Sequence, residues 1–301
     1  MNDIITFIKR KKIGTIKTNI NLSNYTTYKV GGNAKVLVYP KNIIKLIELL
    51  KEIKSKNIKY KILGNGSNLI FSDKEFDGIL IKLDNINDIS FNDTIIKVGA
   101  GYNLVKLAYE AYKHSLTGLE FASGIPGTVG GAVFMNAGAY KSDMGYVVSE
   151  IKVITPNNEI KTLYNKDLKY KYRTSFLKDN PEYICIEATI VLRHGDKALI
   201  KELMEERRQK RLMSQPLEYP SAGSVFRNPE GDFAGRLIED CNLKGKKIGG
   251  AEVSQKHANF IINKDKATAS DVKELIDYVH DTVLEKHNID LKIEQEFVNW
   301  E

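Results

Sequence analysis

Residues 118–140 constrain this chain more than any other stretch. GLEFASGIPGTVGGAVFMNAGAY carries six glycines and four alanines in 23 positions. So little side chain builds no packed core of its own. It lets backbone approach something large and flat, with free N–H groups facing it. On these residues alone, an irregular loop crossing between domains is the plainer alternative. A second small-residue turn, Leu63-Gly64-Asn65-Gly66-Ser67-Asn68-Leu69, lies upstream. Its glycines allow successive N–H groups to converge on one concavity, a nest for phosphate oxygens, and Ser67 and Asn68 add side-chain donors. Leu69 stands where the dinucleotide fingerprint needs its third glycine, and Ile70–Asp73 with Gly78–Leu80 reads as strand and turn. No Gly-Lys-Ser/Thr closes the turn, which excludes a Walker A loop. Taken alone, such a turn is more often a plain hairpin.

The rest of the pattern mixes strands and helices. Val36–Tyr39, stopped by Pro40, reads as a strand, and Ile43–Lys54 as a helix with Ile43, Ile44, Ile47, Leu50 and Ile53 on one face. Tyr60–Leu63 and Leu69–Phe71 read as short strands. Asn103 caps a helix carrying Leu104, Leu107, Ala108 and Ala111, and strands fill Ile151–Leu192. A charged helix over Lys197–Arg211 leads to helices near Ala234–Cys241 and Ser270–His287 and a final strand, Leu291–Val298. Strict βαβ alternation is missing, so the class is α+β. A chain of 301 residues suggests two domains, with the boundary near residue 200.

Composition narrows the function. The longest apolar runs, such as Ala132–Met135, fall far short of the ~20 residues a membrane span needs. The first residues lack a basic region followed by an apolar stretch and cleavage site, so a secretory signal is not expected and the cytoplasm is. Cys185 and Cys241 lie 56 positions apart with no CxxC or histidine pair nearby, which predicts neither a disulfide nor a metal site. The net charge of +7 comes from scattered lysines without interleaved aromatics. That suits a solvated surface or a site for small anions better than nucleic acid.

Five ordered motifs carry a resemblance: LGNGSNL at 63–69, GLEFASGIPGTVGGAVFMNAGAY at 118–140, YRTS at 172–175, SAGSVFRNP at 221–229 and IGGAEVS at 248–254. Together they resemble the UDP-N-acetylenolpyruvoylglucosamine reductase family, from Asn24 nearly to the C-terminus. The resemblance implies a two-subdomain FAD-binding unit of the vanillyl-alcohol-oxidase type over 1–200 (about 1–85 and 86–200). A C-terminal α/β substrate domain would occupy 201–301. It implies non-covalent FAD, its pyrophosphate at Gly64, Asn65, Gly66, Ser67 and Asn68. The isoalloxazine would lie along Gly118, Ser123, Gly124, Pro126, Gly127, Gly131, Asn136 and Gly138. NADPH would be the hydride donor. A monomer is expected.

The family reaction adds a hydride to C3 and a proton to C2 of an enolpyruvyl ether on a UDP-sugar. Negative charge then develops at the substrate carboxylate and C2, which calls for a cation and a proton donor. Arg173 matches the arginine that engages the carboxylate, by a two-pronged bond that suits guanidinium. Ser224 matches the proton donor. It is no nucleophile elbow, because AGSVF lacks the GxSxG pattern and a histidine partner. Glu294 matches the glutamate that stabilises the enol, with Glu296 a rival because Gln295-Glu296 departs from the family's pattern. Asn228 matches a substrate contact, and Arg211 a diphosphate partner. Only 51 positions separate Arg173 from Ser224, as in the family's shorter subtype, which lacks an inserted tyrosine-bearing segment. Two other readings compete: a vanillyl-alcohol-oxidase-type oxidase or dehydrogenase of a small alcohol or sugar, which needs no SAGSVFRNP serine, and a non-enzymatic nucleotide- or RNA-binding protein.

Overall fold

The structure, a computed structural model, describes residues 1–300. Its contacts form two units. The first comprises Met1–Thr18, Val36–Asn65 and Asp77–Gln209; the second, Asn19–Lys35, Gly66–Phe76 and the chain from Lys210 onward. Two N-terminal segments thus group with the C-terminal residues.

Most of a four-stranded sheet lies in the first unit, in the order Gly14–Asn21, Asn33–Pro40, Phe76–Ile81, Tyr60–Ile62. Its last pair is parallel, Tyr60 opposite Ile79. The helix Ile43–Ser55 starts where Asn42 Oδ1 accepts from Lys45 N at 3.0 Å, a cap typically worth ~1 kcal/mol. It buries Leu46, Leu49, Leu50 and Ile53 among Ile4, Ile8, Val36, Val38, Ile79 and Ile81. The buried face is rotated by a fraction of a turn from the expected one. A leucine stripe at the same spacing wins the core, while Ile43 and Ile47 flank it and Ile44 is 68% exposed. Residues Asn2–Arg10, for which no helix was expected, form one.

An antiparallel sheet of five strands comes next, ordered Ile160–Tyr164, Val148–Ile154, Ile184–Val191, Ile95–Gly99, Ile89–Asn92. The helix Leu104–Lys113 is capped as expected, Lys106 N donating to Asn103 Oδ1 at 2.9 Å. Its apolar face is Leu104, Leu107, Ala108 and Ala111. The glycine-rich stretch is not an irregular loop throughout. It contains a 3-10 turn, Glu120–Gly124, and a true helix, Val129–Met135. That helix is stapled from outside: Val129 N donates to Tyr102 O at 2.9 Å and Gly130 N to Ala100 O at 2.8 Å. A Cβ on Gly130 would sit 2.9 Å from that of Ala100, so part of the small-residue content serves packing within the protein.

The second unit has its own core, centred on Tyr28, Ile70, Phe226, Leu237, Ile261 and Leu275. An antiparallel sheet joins Lys247–Ile248, Ala251–Val253 and Ile261–Asn263, beside helices Ala234–Asp240 and Ala269–His287. The longer helix opens with a capping box, Thr268 and Asp271 each accepting from the other's backbone N–H. Asp73 adds a second cap, its carboxylate accepting from Ala269 N and Ser270 N at 2.9 Å each. Leu69–Phe71 pairs in parallel with Glu296–Val298. The expected strand Leu291–Val298 shrinks to those three residues. Ile293 joins Phe226 only by an isolated bridge, and Gln295 turns inward to bond carbonyls instead of a neighbouring strand. Among the described residues, no helix is long and apolar enough to cross a membrane.

Candidate active site

In the first unit the predicted residues gather around the start and end of the glycine-rich segment. Gly64 lies against Thr128: a Cβ there would stand 2.9 Å from Thr128 Oγ1. The same hydroxyl accepts from Gly131 N at 3.4 Å and so caps the Val129–Met135 helix. Lys82, 8% exposed, donates to Gly64 O at 2.6 Å and lies 3.4 Å from Asp84. A cleft of about 290 Å³ opens here, lined among others by Asn65, Asp84, Tyr102, Asn103, Lys106 and Thr128. It offers amides, a hydroxyl, a carboxylate and an ammonium to a polar ligand. Sequence reasoning missed Lys82, Thr128 and Lys106, because their spacing to Gly64 is set only by the fold.

Several residues predicted to contact flavin also have protein partners. Glu120 is 6% exposed and holds the 117–118 turn, accepting from Gly118 N at 2.9 Å and Thr117 Oγ1 at 2.6 Å. Ser123 Oγ donates to Glu120 O at 2.8 Å, and Leu104 N to Gly127 O at 3.0 Å. Asn136 ends the helix in the left-handed region. Its amide bridges Lys171 O and Gly145 N, both at 2.9 Å. Arg173 reaches the far end of the segment, Nη2 donating to Gly138 O at 2.8 Å with the guanidinium 5.0 Å above the Tyr172 ring. Its φ of +55° is unusual for a side chain of that size. It sits in the turn closed by paired bonds between Lys171 and Thr174, 3.1 Å each. Such strain is kept where surrounding structure imposes it, often at functional sites.

The second unit assembles another cluster. Glu294 N donates to Val225 O at 2.8 Å, which sets the glutamate beside the residue after Ser224. Asn68, from the first glycine turn, clasps the same segment: Nδ2 donates to Glu294 O at 3.2 Å, and its carbonyl accepts from Glu296 N at 2.9 Å. Ser224, Glu294 and Asn68 are therefore brought together. Asn259, buried and not foreseen, holds Phe226 by both backbone groups at 2.9 and 2.8 Å and accepts from Val225 N at 2.9 Å. Asn228 Oδ1 accepts from Ala234 N at 3.1 Å, the first amide of a helix. Arg211 lies in the last turn of the helix Lys197–Ser214, and its carbonyl accepts from Gln215 N.

Residues 34–164 match the FAD binding domain family, and 215–298 match the C-terminal domain of UDP-N-acetylenolpyruvoylglucosamine reductase. Among solved structures, the fold is similar to a glucose dehydrogenase, Phl p 4.0202 (TM-score 0.51, 12% identity, 65% of this chain and 44% of that one). The architecture is accordingly α+β, an FAD-binding unit of the vanillyl-alcohol-oxidase type with a C-terminal domain added, and the class is a flavin-dependent oxidoreductase. A closer likeness is UDP-N-acetylenolpyruvylglucosamine reductase from Thermus caldophilus, with TM-score 0.81 and 33% identity over 94% of this chain and 98% of that one. The sequence is 44% identical to the UDP-N-acetylenolpyruvoylglucosamine reductase of Anoxybacillus flavithermus over 95% of both chains. It is 40% identical to that of Bacillus subtilis over 99% of both. The chain belongs to the UDP-N-acetylenolpyruvoylglucosamine reductase family.

Proposed function

We propose that this chain reduces UDP-N-acetylglucosamine enolpyruvate to UDP-N-acetylmuramate, a precursor of peptidoglycan, in the cytoplasm and as a monomer. Residues 1–200 would serve chiefly FAD and 201–301 the UDP-sugar. The cleft beside Gly64 suits a diphosphate-bearing cofactor, since it combines an ammonium, side-chain amides and a hydroxyl. The turns at 63–69 and 118–140 would hold FAD, which when bound would supply hydride transfer between NADPH and C3 of the enolpyruvyl group. Arg173 holds the substrate carboxylate and opposes the charge that develops on it. Ser224 gives its hydroxyl proton to C2, which is basic enough to take it once geometry is fixed. Glu294 stabilises the enol form. Asn228 and Arg211 engage the UDP-sugar.

The observation that carries the reading is the bond from Glu294 N to Val225 O, with Asn68 clasping Glu294 from the glycine turn. It gathers the serine, the carboxylate and a predicted phosphate-binding residue on adjoining backbone. Asn68 bonds the backbone of both glutamates, and of the two it is Glu294 whose amide bonds the residue after Ser224, which favours Glu294.

Ser224→Ala tests the assignment. Flavin reduction by NADPH should keep its wild-type rate, while reoxidation by the enolpyruvyl substrate should fall ~10²–10⁴-fold, in kcat more than KM. Ser224→Cys, with a transferable proton, should retain more activity than alanine. Stopped-flow absorbance of the flavin reads each half-reaction. Equal slowing of both would make the serine a structural residue, and slowing of neither would put the proton elsewhere.

A further inference from the structure

Behind Ser224 lies a buried amide that the proposed chemistry does not use. Gln295 is 4% exposed. Its Nε2 stands 3.2 Å from Ala222 O, 3.2 Å from Gly223 O and 3.4 Å from Ser224 O. Its Oε1 accepts from the Tyr28 hydroxyl at 3.3 Å. Carbonyls can only accept, so the amide has one sensible orientation, nitrogen towards the serine turn and oxygen towards the phenol. Tyr28 is held in its turn: it has no exposed surface, and its carbonyl accepts from Asn263 Nδ2 at 3.0 Å. Burial pushes its phenol well above the ordinary range, so it stays a neutral donor.

Three carbonyls converging on one NH₂ make a clamp on the whole turn. The turn has need of one. Gly223 has φ +76°, and nothing lies within 4 Å of where its Cβ would be, so packing around that position does not fix it. Asn259 fixes the residues after Ser224; Gln295 is the contact on the preceding side. The segment that carries Tyr28 also holds the flavin turn, since Thr27 donates to Gly66 O by N at 3.2 Å and by Oγ1 at 3.4 Å. Serine turn and flavin turn are thereby tied to one short stretch of chain.

We infer that Gln295, oriented by Tyr28, is a positioning residue that fixes the Ser224 hydroxyl for proton delivery. The inference rests on the reading of Ser224 as the proton donor. Gln295 touches no reacting atom; it acts through the 222–224 carbonyls. Its effect belongs to the half-reaction that consumes the serine proton.

Gln295→Met keeps length and burial but removes both donors. In the FAD-loaded protein, reoxidation by UDP-N-acetylglucosamine enolpyruvate should slow in kcat by about ten- to a hundredfold, the scale of a misplaced reacting group. Reduction by NADPH and retention of FAD should stay at wild-type values. In the Ser224→Ala background, Gln295→Met should add nothing, because the group it positions is gone. Equal slowing of both halves, or the full extra loss in the Ser224→Ala background, would make Gln295 a packing residue and overturn the inference. Should Gln295→Met fail to fold, Tyr28→Phe carries the test: a smaller, selective loss supports the clamp, and wild-type reoxidation overturns it. A selective loss in Ser224→Ala beside wild-type rates in Gln295→Met sinks the positioning role alone. Ser224→Ala at wild-type rates in both halves sinks the proton-donor reading, and this inference with it.

Discussion

The two glycine-rich turns look alike as sequence and differ as structure. At Gly66, φ is +62°, and a Cβ would press on the Tyr25 carbonyl and stand 2.9 Å from Thr26 Cα. Gly131, in the second stretch, has an ordinary helical backbone, and its Cβ would meet only Thr128 Oγ1 at 3.4 Å. The first glycine is required by the protein's own chain, whatever binds there. The second is not, and its smallness is left for a ligand to explain. A glycine-rich motif therefore combines two demands, closeness of the backbone to itself and closeness to a cofactor. Only the fold separates them.

Substitution at the two positions should separate them experimentally. Gly66→Val meets protein before it meets phosphate. It should cost at least about 3 kcal/mol of stability and lose the flavin, as strain at a special backbone conformation does. A melt and a flavin spectrum measure both, and a variant with wild-type stability would erase the distinction. Gly131→Ala should do the reverse. Stability should hold or rise by up to ~1 kcal/mol, because alanine suits a helix better, while FAD titration shows weakened binding. Unchanged FAD affinity would mean that no ligand approaches this face.

A smaller handle acts on the unit that contains Gly66. Asp290 and Asp281 bond the His280 imidazole and raise its pKa above the usual 6.5. Stability contributed by a raised histidine is fully present below the unfolded value and is lost as pH climbs through the folded one. Stability should therefore fall slightly from about pH 6.5 upward, by less than about 1 kcal/mol and less in high salt, which melts at a series of pH values would read. His280→Gln should flatten that slope, and an unaltered slope would show that the pair contributes nothing.

Much of this was legible in the residues. Asn103 caps the helix that its position promises, and Leu69–Phe71 is the strand expected. Motif spacing led to Ser224 and Glu294, which the fold sets on adjoining backbone. Other features could not be read. The Val129–Met135 helix hides behind paired glycines that disfavour helix, and it survives through bonds to Ala100 and Tyr102. The stripe of Ile43–Ser55 was ambiguous because leucines and isoleucines both recur at helical spacing. Gln295 stands between two glutamates and Lys82 just past the end of a strand, and nothing beside them in sequence points to Tyr28 or Gly64 as their partners. Nothing local could have named the Ser224 turn or Gly64 as what they bind.

The bond between Tyr28 and Gln295 spans 267 positions. During synthesis at about 5–20 residues per second, Tyr28 emerges on the order of tens of seconds before its partner exists. In that interval Asn19–Lys35 and Gly66–Phe76 hang from the nascent first unit as loops with apolar faces and nothing to cover them. Closing such distant contacts is slow in a full-length chain as well. A ribosome stalled short of residue 294 would thus hold a polypeptide in which Asn68 lacks its bonds to Glu294 and Glu296, a natural target for chaperones and proteases.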